Sequence, residues 1–317
     1  MYNKLKSYLE NIKNILTETS VTSKKILSLP SVKNDVLENR ILMGKILSNQ
    51  NLTKQDEIIE NIHKAEFKIF SQWGDDGIIN FLINYLDIDE KSFIEFGVEN
   101  YTECNTRFLL VNDNWKGLII DGSENHMNSV KNDNIFWRHD LTAIANFVTL
   151  ENIDEIFLNN NFGGKLGILH IDIDGNDYWI WNKIKSVDPT IVIMEYNSIY
   201  GFDKPYTTPY KADFVRTEAH YSNLFYGSSL LSLCDLAEEK GFAFIGCNSN
   251  GNNAYFVKKD KAKNLKFLTA EEGYVESKFA ESRNENGALT YLRGKDRLKL
   301  LKGMEVYNTR KRLLEKI

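Results

Sequence analysis

Residues 166–181, "LGILHIDIDGNDYWIW", set an aliphatic run directly against three carboxylates, Asp172, Asp174 and Asp177. Asp172 and Asp174 alternate with Ile171 and Ile173. If strand geometry continues through them, both carboxylates point to one face, about 6 to 7 Å apart. Like charges that close call for a cation. Glu195 and Asn197, which end the next aliphatic run "PTIVIMEYN", add oxygen donors of the hard kind that Mg²⁺, Mn²⁺ and Ca²⁺ take. A divalent ion there would bind a hydroxyl oxygen and lower its pKa, with Asp177 as a further ligand or as the base. The competing reading is an acid-capped turn in which Asp177 opens the following helix and no metal binds.

Acids also mark the ends of three earlier runs: Glu95 just before Gly97 in "FIEFGVEN", Asp121 in "KGLIIDGS", and Asp140 in "NIFWRHDL". Gly97 would let a ligand come close to the backbone, and a helix starting near Cys104 would offer it a positive amino end. A dinucleotide would call for Gly-x-Gly-x-x-Gly here, whereas this loop has one glycine. Asp121 is placed to accept from ribose hydroxyls and Asp140 from an adenine amino group. The ordered set Glu95, Gly97, Asp121 and Asp140 suits an adenosine that carries a charged amino acid in place of phosphates, namely S-adenosylmethionine (SAM).

His220 lies in "RTEAHYSNLFYG" beside Tyr221 and Asn223, a mixture of aromatic and polar groups suited to a sugar ring. It is the second candidate base. Tyr196, His220, Tyr221 and Asn223 are the expected substrate contacts. His170 reads as a hydrogen-bonded strand histidine, and Trp179 and Trp181 as residues that pack a helix onto a sheet.

The elements that would position these groups are strands ending in acids, alternating with helical stretches from Phe67 onward. Continuous β-branched runs of that kind predict a mostly parallel sheet covered on both faces, with its ligand crevice at the carboxyl ends of the strands. Phe242 to Cys247 and Ala254 to Lys258, separated by "NSNGNN", predict an antiparallel edge hairpin. Before this, residues 1–65 carry apolar positions at helical spacing (Leu5, Leu9, Ile12, Ile15, Leu16; then Ile41, Leu42, Ile46, Leu47), which predicts a helical extension for packing or oligomerisation. The expected domain covers residues 66–260, and residues 261–317 form a charged, partly helical tail.

Composition narrows the class. At 317 residues and 42% hydrophobic content the chain can bury a full core. A net charge of −5 offers no broad basic field for nucleic acid. No apolar run reaches the roughly 18 to 20 residues that span a bilayer. Three widely spaced cysteines, Cys104, Cys234 and Cys247, make neither a disulfide framework nor a zinc site, so a reducing cytoplasm is the expected location.

The blocks "FSQWGDDGIINFLI", "FIEFGVENYTECNTR", "WKGLIIDGS", "LHIDIDGNDYWIW", "IVIMEYN", "AHYSNLFYGSSL", "GCNSNGNNAYFV" and "ALTYLRGKDRLKLLKGMEVYN", in that order, resemble FkbM-like SAM-dependent methyltransferases of bacterial polysaccharide biosynthesis. The resemblance runs over about residues 66–308. It implies a Rossmann-like class I methyltransferase acting on a hydroxyl of a nucleotide-linked or polysaccharide-precursor sugar, such as a capsule component. It places Glu95, Gly97, Asp121 and Asp140 at the SAM site, with Gln72, Asp75 and Asp76 in a loop covering the cofactor. Similarity to metal-dependent O-methyltransferases makes Asp172 or Asp174, with Glu195 and Asn197, the ligand set. Here the loop after β-strand one is Val98-Glu99-Asn100 rather than glycine-rich. Two other classes compete: a glycosyltransferase whose Asp-x-Asp holds the metal of a nucleotide sugar, and a non-catalytic assembly protein.

Overall fold

The computed structural model describes residues 30–317, together with residues 10, 12–14, 16, 17, 19 and 20, which are helical. Leu5, Leu9 and Ile15 of the expected first helix lie outside the described residues. The chain divides into two compact units, residues 1–46 and 47–317, and the helix Pro30–Thr53 runs across that division.

In the second unit seven strands form one sheet: β1 (Ser92–Phe96), β2 (Lys116–Asp121), β3 (Leu141–Ala145), β4 (Gly164–Ile171), β5 (Val187–Glu195), β7 (Phe242–Cys247) and β8 (Asn253–Lys258). Their order is β3-β2-β1-β4-β5-β8-β7. The first five are mutually parallel, and β8 runs antiparallel between β5 and β7. This is the Rossmann-like α/β sheet with an edge hairpin that the apolar runs predict.

Alternation along the strands explains why both faces are covered. Phe93, Ile119, Ile168, Ile191 and Ile193 enter one buried core, while Ile94, Leu118, Ile120, Leu169 and Val192 enter the other. Successive side chains of one strand thus feed two helix-covered layers, which requires strands that are apolar throughout. The order of connection reverses between β1 and β4, so the chain leaves those two strands in opposite directions and opens a crevice beyond their carboxyl ends.

Two expectations need correction. Residues 134–138 of "NIFWRHDL" form a helix, Asn134–Arg138, because the Asp133 side chain caps it by accepting from the Ile135 amide at 2.8 Å. The strand starts only at Leu141. The carboxyl-terminal segment is also more than a partly helical tail. After the helix Lys295–Leu300 it forms β9 (Glu305–Asn308) and β10 (Leu313–Lys316), which join β6 (Tyr206–Thr207) in a second, three-stranded sheet. Earlier in the same segment Ser277 and Val275 bond to Ser198 and Tyr196, which follow β5.

Candidate active site

Two cavities of about 500 and about 230 Å³ lie at the carboxyl ends of the parallel strands and share Gly97, Glu99, Asp172 and Asp174. Gly97 makes their junction possible. Its φ is +66°, and a Cβ there would collide with the carbonyl oxygen of Asp172. Only glycine lets the ends of β1 and β4 approach this closely.

The smaller cavity is walled by Asp121 at the end of β2 and by Asn146, Phe147 and Val148 just after β3. Asp121 Oδ2 accepts from the Glu99 amide at 2.8 Å, and Oδ1 accepts from the Ser123 amide at 2.8 Å, which joins the loops after β1 and β2. Asp140 is not brought here. It precedes β3, where its carbonyl accepts from the Gly117 amide at 2.8 Å, a full strand length of roughly 16 Å from the crevice. The helix at residues 134–138 displaces the strand, so Asn146 and Phe147 stand where Asp140 was expected.

In the larger cavity Glu95 is buried and fully engaged. Oε1 accepts from the Asn105 amide (2.9 Å) and faces His170 Nδ1 (2.9 Å); Oε2 accepts from the Thr106 amide (3.1 Å) and from the Thr106 hydroxyl. Glu95 therefore holds the start of the helix Arg107–Asp113 and pairs with His170. Burial works to raise the Glu95 carboxyl, but the hydrogen bond and charge of His170 outweigh it and the carboxyl is lowered. Burial likewise disfavours the His170 cation, and Glu95 more than offsets it, so His170 is raised. His170 also contacts Asn105 Nδ2 through Nε2 at 3.2 Å, and is the hydrogen-bonded strand histidine expected from its position.

Gln72 lines this cavity, and Asp76 does not. Asp76 Oδ2 accepts from the amides of Ile69, Phe70 and Ser71 at 2.7 to 2.8 Å, tying the 69–71 loop to the start of the helix Asp75–Tyr85. It closes this loop, and burial pushes its carboxyl up to about 6.

The three acids Asp172, Asp174 and Glu195 offer carboxylate oxygens within 4.8 Å of one another. Strand alternation is not what gathers them. β4 ends at Ile171, which pairs with Met194, so Asp172 follows beside Glu195, and Asp174, with a left-handed backbone (φ +55°), joins them from the turn. Burial, then the Asp174 charge, pushes the Asp172 carboxyl up to about 7. Burial and the Asp172 charge raise Glu195 as well. Arg216 closes one side: Nη1 lies 2.6 Å from Asp174 Oδ1, Nη2 lies 3.6 Å from Glu281 Oε2, and the guanidinium sits 3.8 Å over the Tyr226 ring.

One amide and one acid expected beside this cluster bond to the backbone. Asn197 Nδ2 donates to the carbonyls of Leu224 (2.9 Å) and Tyr226 (3.0 Å), its Oδ1 accepts from the Ile199 amide, and the residue lines neither cavity. Asp177 accepts from the amides of Ile173 and Gly175, both at 2.9 Å, and is fully buried away from the cavity. It fastens the 173–175 turn and lines neither cavity. The helix begins at Asp177, one residue earlier than expected, so Asn176 rather than Asp177 holds the capping position.

The expected substrate contacts divide. Tyr196 is buried, and its hydroxyl donates to the Val275 carbonyl. His220 stacks on Tyr221 with ring centroids 4.3 Å apart and bonds Ser222 Oγ through Nδ1 at 2.7 Å; neither ring lines the two cavities. Burial lowers the His220 pKa. Asn223 reaches the wall indirectly, its carbonyl accepting from Arg216 Nε (2.9 Å) and its Nδ2 donating to Glu281 (3.2 Å). Arg216, Phe279, Glu281, Asn252 and Asn253 line the larger cavity without having been singled out. For Asn252 and Asn253 a signal existed, since "NSNGNN" holds more amides than a hairpin turn requires.

No family model matches the chain, and no curated protein matches it. Solved structures do. The amino-terminal domain of EvdMO1 with SAH bound is 11% identical, with a TM-score of 0.39, covering 66% of this chain and 94% of that one. A SAM-dependent methyltransferase from Clostridium acetobutylicum is 13% identical, with a TM-score of 0.37, covering 65% and 98%. An O-methyltransferase from Bacillus cereus in complex with SAH is 13% identical, with a TM-score of 0.37, covering 67% and 90%. At such identities and scores, the chemistry of this site rests on its own residues.

Proposed function

We propose that the protein is a SAM-dependent O-methyltransferase that methylates a hydroxyl of a sugar, carried on a nucleotide or a polysaccharide precursor, with a divalent metal assisting. The observation that carries this reading is the pair of joined cavities at the switch point of the sheet, one walled by Asp121 and the other holding the acid cluster. The smaller cavity takes the adenosine, with Asp121 toward the ribose hydroxyls and Phe147 toward the base. Gly97 and Glu99 form the passage through which the methyl-bearing end reaches the larger cavity. Polar groups there, Gln72, Asn252 and Glu281, suit a polyhydroxyl acceptor better than an apolar one.

The residues fit a hard cation. Three carboxylates converge, Glu195 Oε2 is buried without a hydrogen-bond partner, and without a cation the Asp172 carboxyl is pushed up to about 7 by burial and the Asp174 charge. When bound, the ion would act as a Lewis acid toward the acceptor hydroxyl. The chain's own contribution is to hold acceptor and methyl donor in line and to keep Asp174 oriented through Arg216.

The test is calorimetric titration with SAM, with and without Mn²⁺, on wild type and Asp121→Ala. The variant should lose about 2 kcal/mol, roughly thirtyfold in Kd. Unchanged affinity would remove Asp121 from the site. Heat from a nucleotide sugar with Mn²⁺, and none from SAM, would favour the glycosyltransferase class instead.

A further inference from the structure

Two buried oxygens in the larger cavity have no hydrogen-bond partner, Glu195 Oε2 and Asn253 Oδ1. Their residues are 8% and 3% exposed. Fifty-eight positions apart in sequence, they are directly opposed across the antiparallel β5–β8 pair. That register puts the two side chains on one face of the sheet with Cβ atoms about 5 Å apart.

The Asn253 amide is not free to turn. Its Nδ2 donates to Asp75 Oδ1 at 3.0 Å, an oxygen that also accepts from the Tyr255 hydroxyl and Asn248 Nδ2, so the amide oxygen faces away from Asp75. Asp75 is itself fixed. Tyr255 donates its hydroxyl to Oδ1, and Asn248 Nδ2 donates to both oxygens at 3.0 and 3.2 Å. Asn248 in turn accepts through Oδ1 from the amides of Gly251, Asn252 and Asn253. An acceptor held this rigidly and left unpaired costs free energy that a bound ligand recovers. Arg216, the guanidinium of the cavity, is already engaged by Asp174, Glu281 and the Asn223 carbonyl.

Glu195 is also one of the three converging carboxylates. We propose that Asn253 Oδ1 is the neutral oxygen ligand that completes a divalent-cation site with Asp172, Asp174 and Glu195, and that Asp75 is the positioning residue that aims it. The amide raises the number of oxygen donors without adding to a charge of three carboxylates, which is how hard-cation sites reach six or more ligands. It takes the place expected for Asn197, which is bonded to the backbone and does not line the cavity.

This inference rests on the metal-assisted reading above, and the experiment separates the two. Full-length protein carrying ¹³C-labelled asparagine is titrated with Mn²⁺ alone, with affinity read by calorimetry and ligation by ¹³C hyperfine coupling in the Mn²⁺ electron paramagnetic resonance spectrum. Wild type should show a strong asparagine coupling. Asn253→Ala should lose that coupling and bind Mn²⁺ about tenfold more weakly. Asp75→Asn, which lets the amide turn, should diminish the coupling while Mn²⁺ remains bound. If Asn253→Ala does not fold, Asn253→Ser and the wild-type spectrum decide. Equal Mn²⁺ binding in wild type and variant with no asparagine coupling overturns the assignment of Asn253 and leaves the metal reading standing. Absence of Mn²⁺ binding in a wild type that binds SAM overturns both.

Discussion

At the scale of single residues, the site is a set of carboxylates kept together against their mutual repulsion. Burial and the neighbouring charges raise Asp172 to about 7 and raise Glu195, so the metal-free folded state keeps protons that the unfolded chain releases near pH 4. The sign follows directly. A folded state that binds more protons than the unfolded one loses stability as pH rises, so this contribution is present below about pH 4 and drains away through about pH 7. Asp76 and Asp177, each raised to about 6 by burial, act in the same direction. The melting temperature of the metal-free protein should therefore fall between pH 5 and pH 7. Asp172→Asn should flatten part of that slope, since Asp76 and Asp177 keep titrating, and saturating Mn²⁺ should flatten it too. Differential scanning calorimetry across pH 5 to 8 reads this, and identical slopes in wild type and variant would contradict it.

At the scale of elements, the turn after β4 shows how one side chain builds the site without entering it. Asp177 accepts from the Ile173 and Gly175 amides and so sets the path that carries Asp172 and Asp174 toward Glu195. Asp177→Ala leaves two backbone donors without their acceptor and should cost about 2 to 4 kcal/mol in urea unfolding. Metal affinity should weaken with it, and excess Mn²⁺ should restore turnover; turnover abolished at full metal occupancy would make Asp177 the base after all. How much of this was legible follows from the same element. The aliphatic runs of β1, β2, β4 and β5 announce their strands because both faces are buried, and the acids at their ends mark the crevice. What a spacing rule misses is where a strand stops. The alternation of Asp172 and Asp174 gives the right pair for the wrong reason, since β4 has already ended and a left-handed Asp174 makes the turn. For "NIFWR", three apolar or aromatic residues in five positions fit a buried strand equally well, and the Asp133 cap decides for a helix. Arg216, Glu281 and Asn253 reach the cavity only through tertiary contacts with β4 and β5, which no local pattern encodes.

At the scale of the whole molecule, the residues that line both cavities fall between Gln72 and Glu281, inside the unit of residues 47–317. Among the described residues of 1–46, none lines either cavity. The helix Pro30–Thr53 carries Val36, Leu42, Met43 and Ile46 about half exposed among polar residues such as Asp35 and Asn39. Apolar surface of that kind in water favours burial against a partner, and we expect it to serve assembly with another copy of the chain. Truncation to residues 47–317 keeps Asn51, whose Nδ2 donates to the Ala65 carbonyl at 2.8 Å and secures the helix end within its own unit. The truncated protein should bind SAM and Mn²⁺ with dissociation constants within about twofold of the full chain, a difference of roughly 0.4 kcal/mol. Its mass in solution, read by light scattering, should drop to that of a single chain, while the full-length protein runs as a multiple. A full-length protein that is already a single chain would remove the assembly role. A truncated protein that stays folded yet no longer binds SAM would place part of the cofactor site in the amino-terminal helices, contrary to the confinement of the cavity lining to residues 72–281.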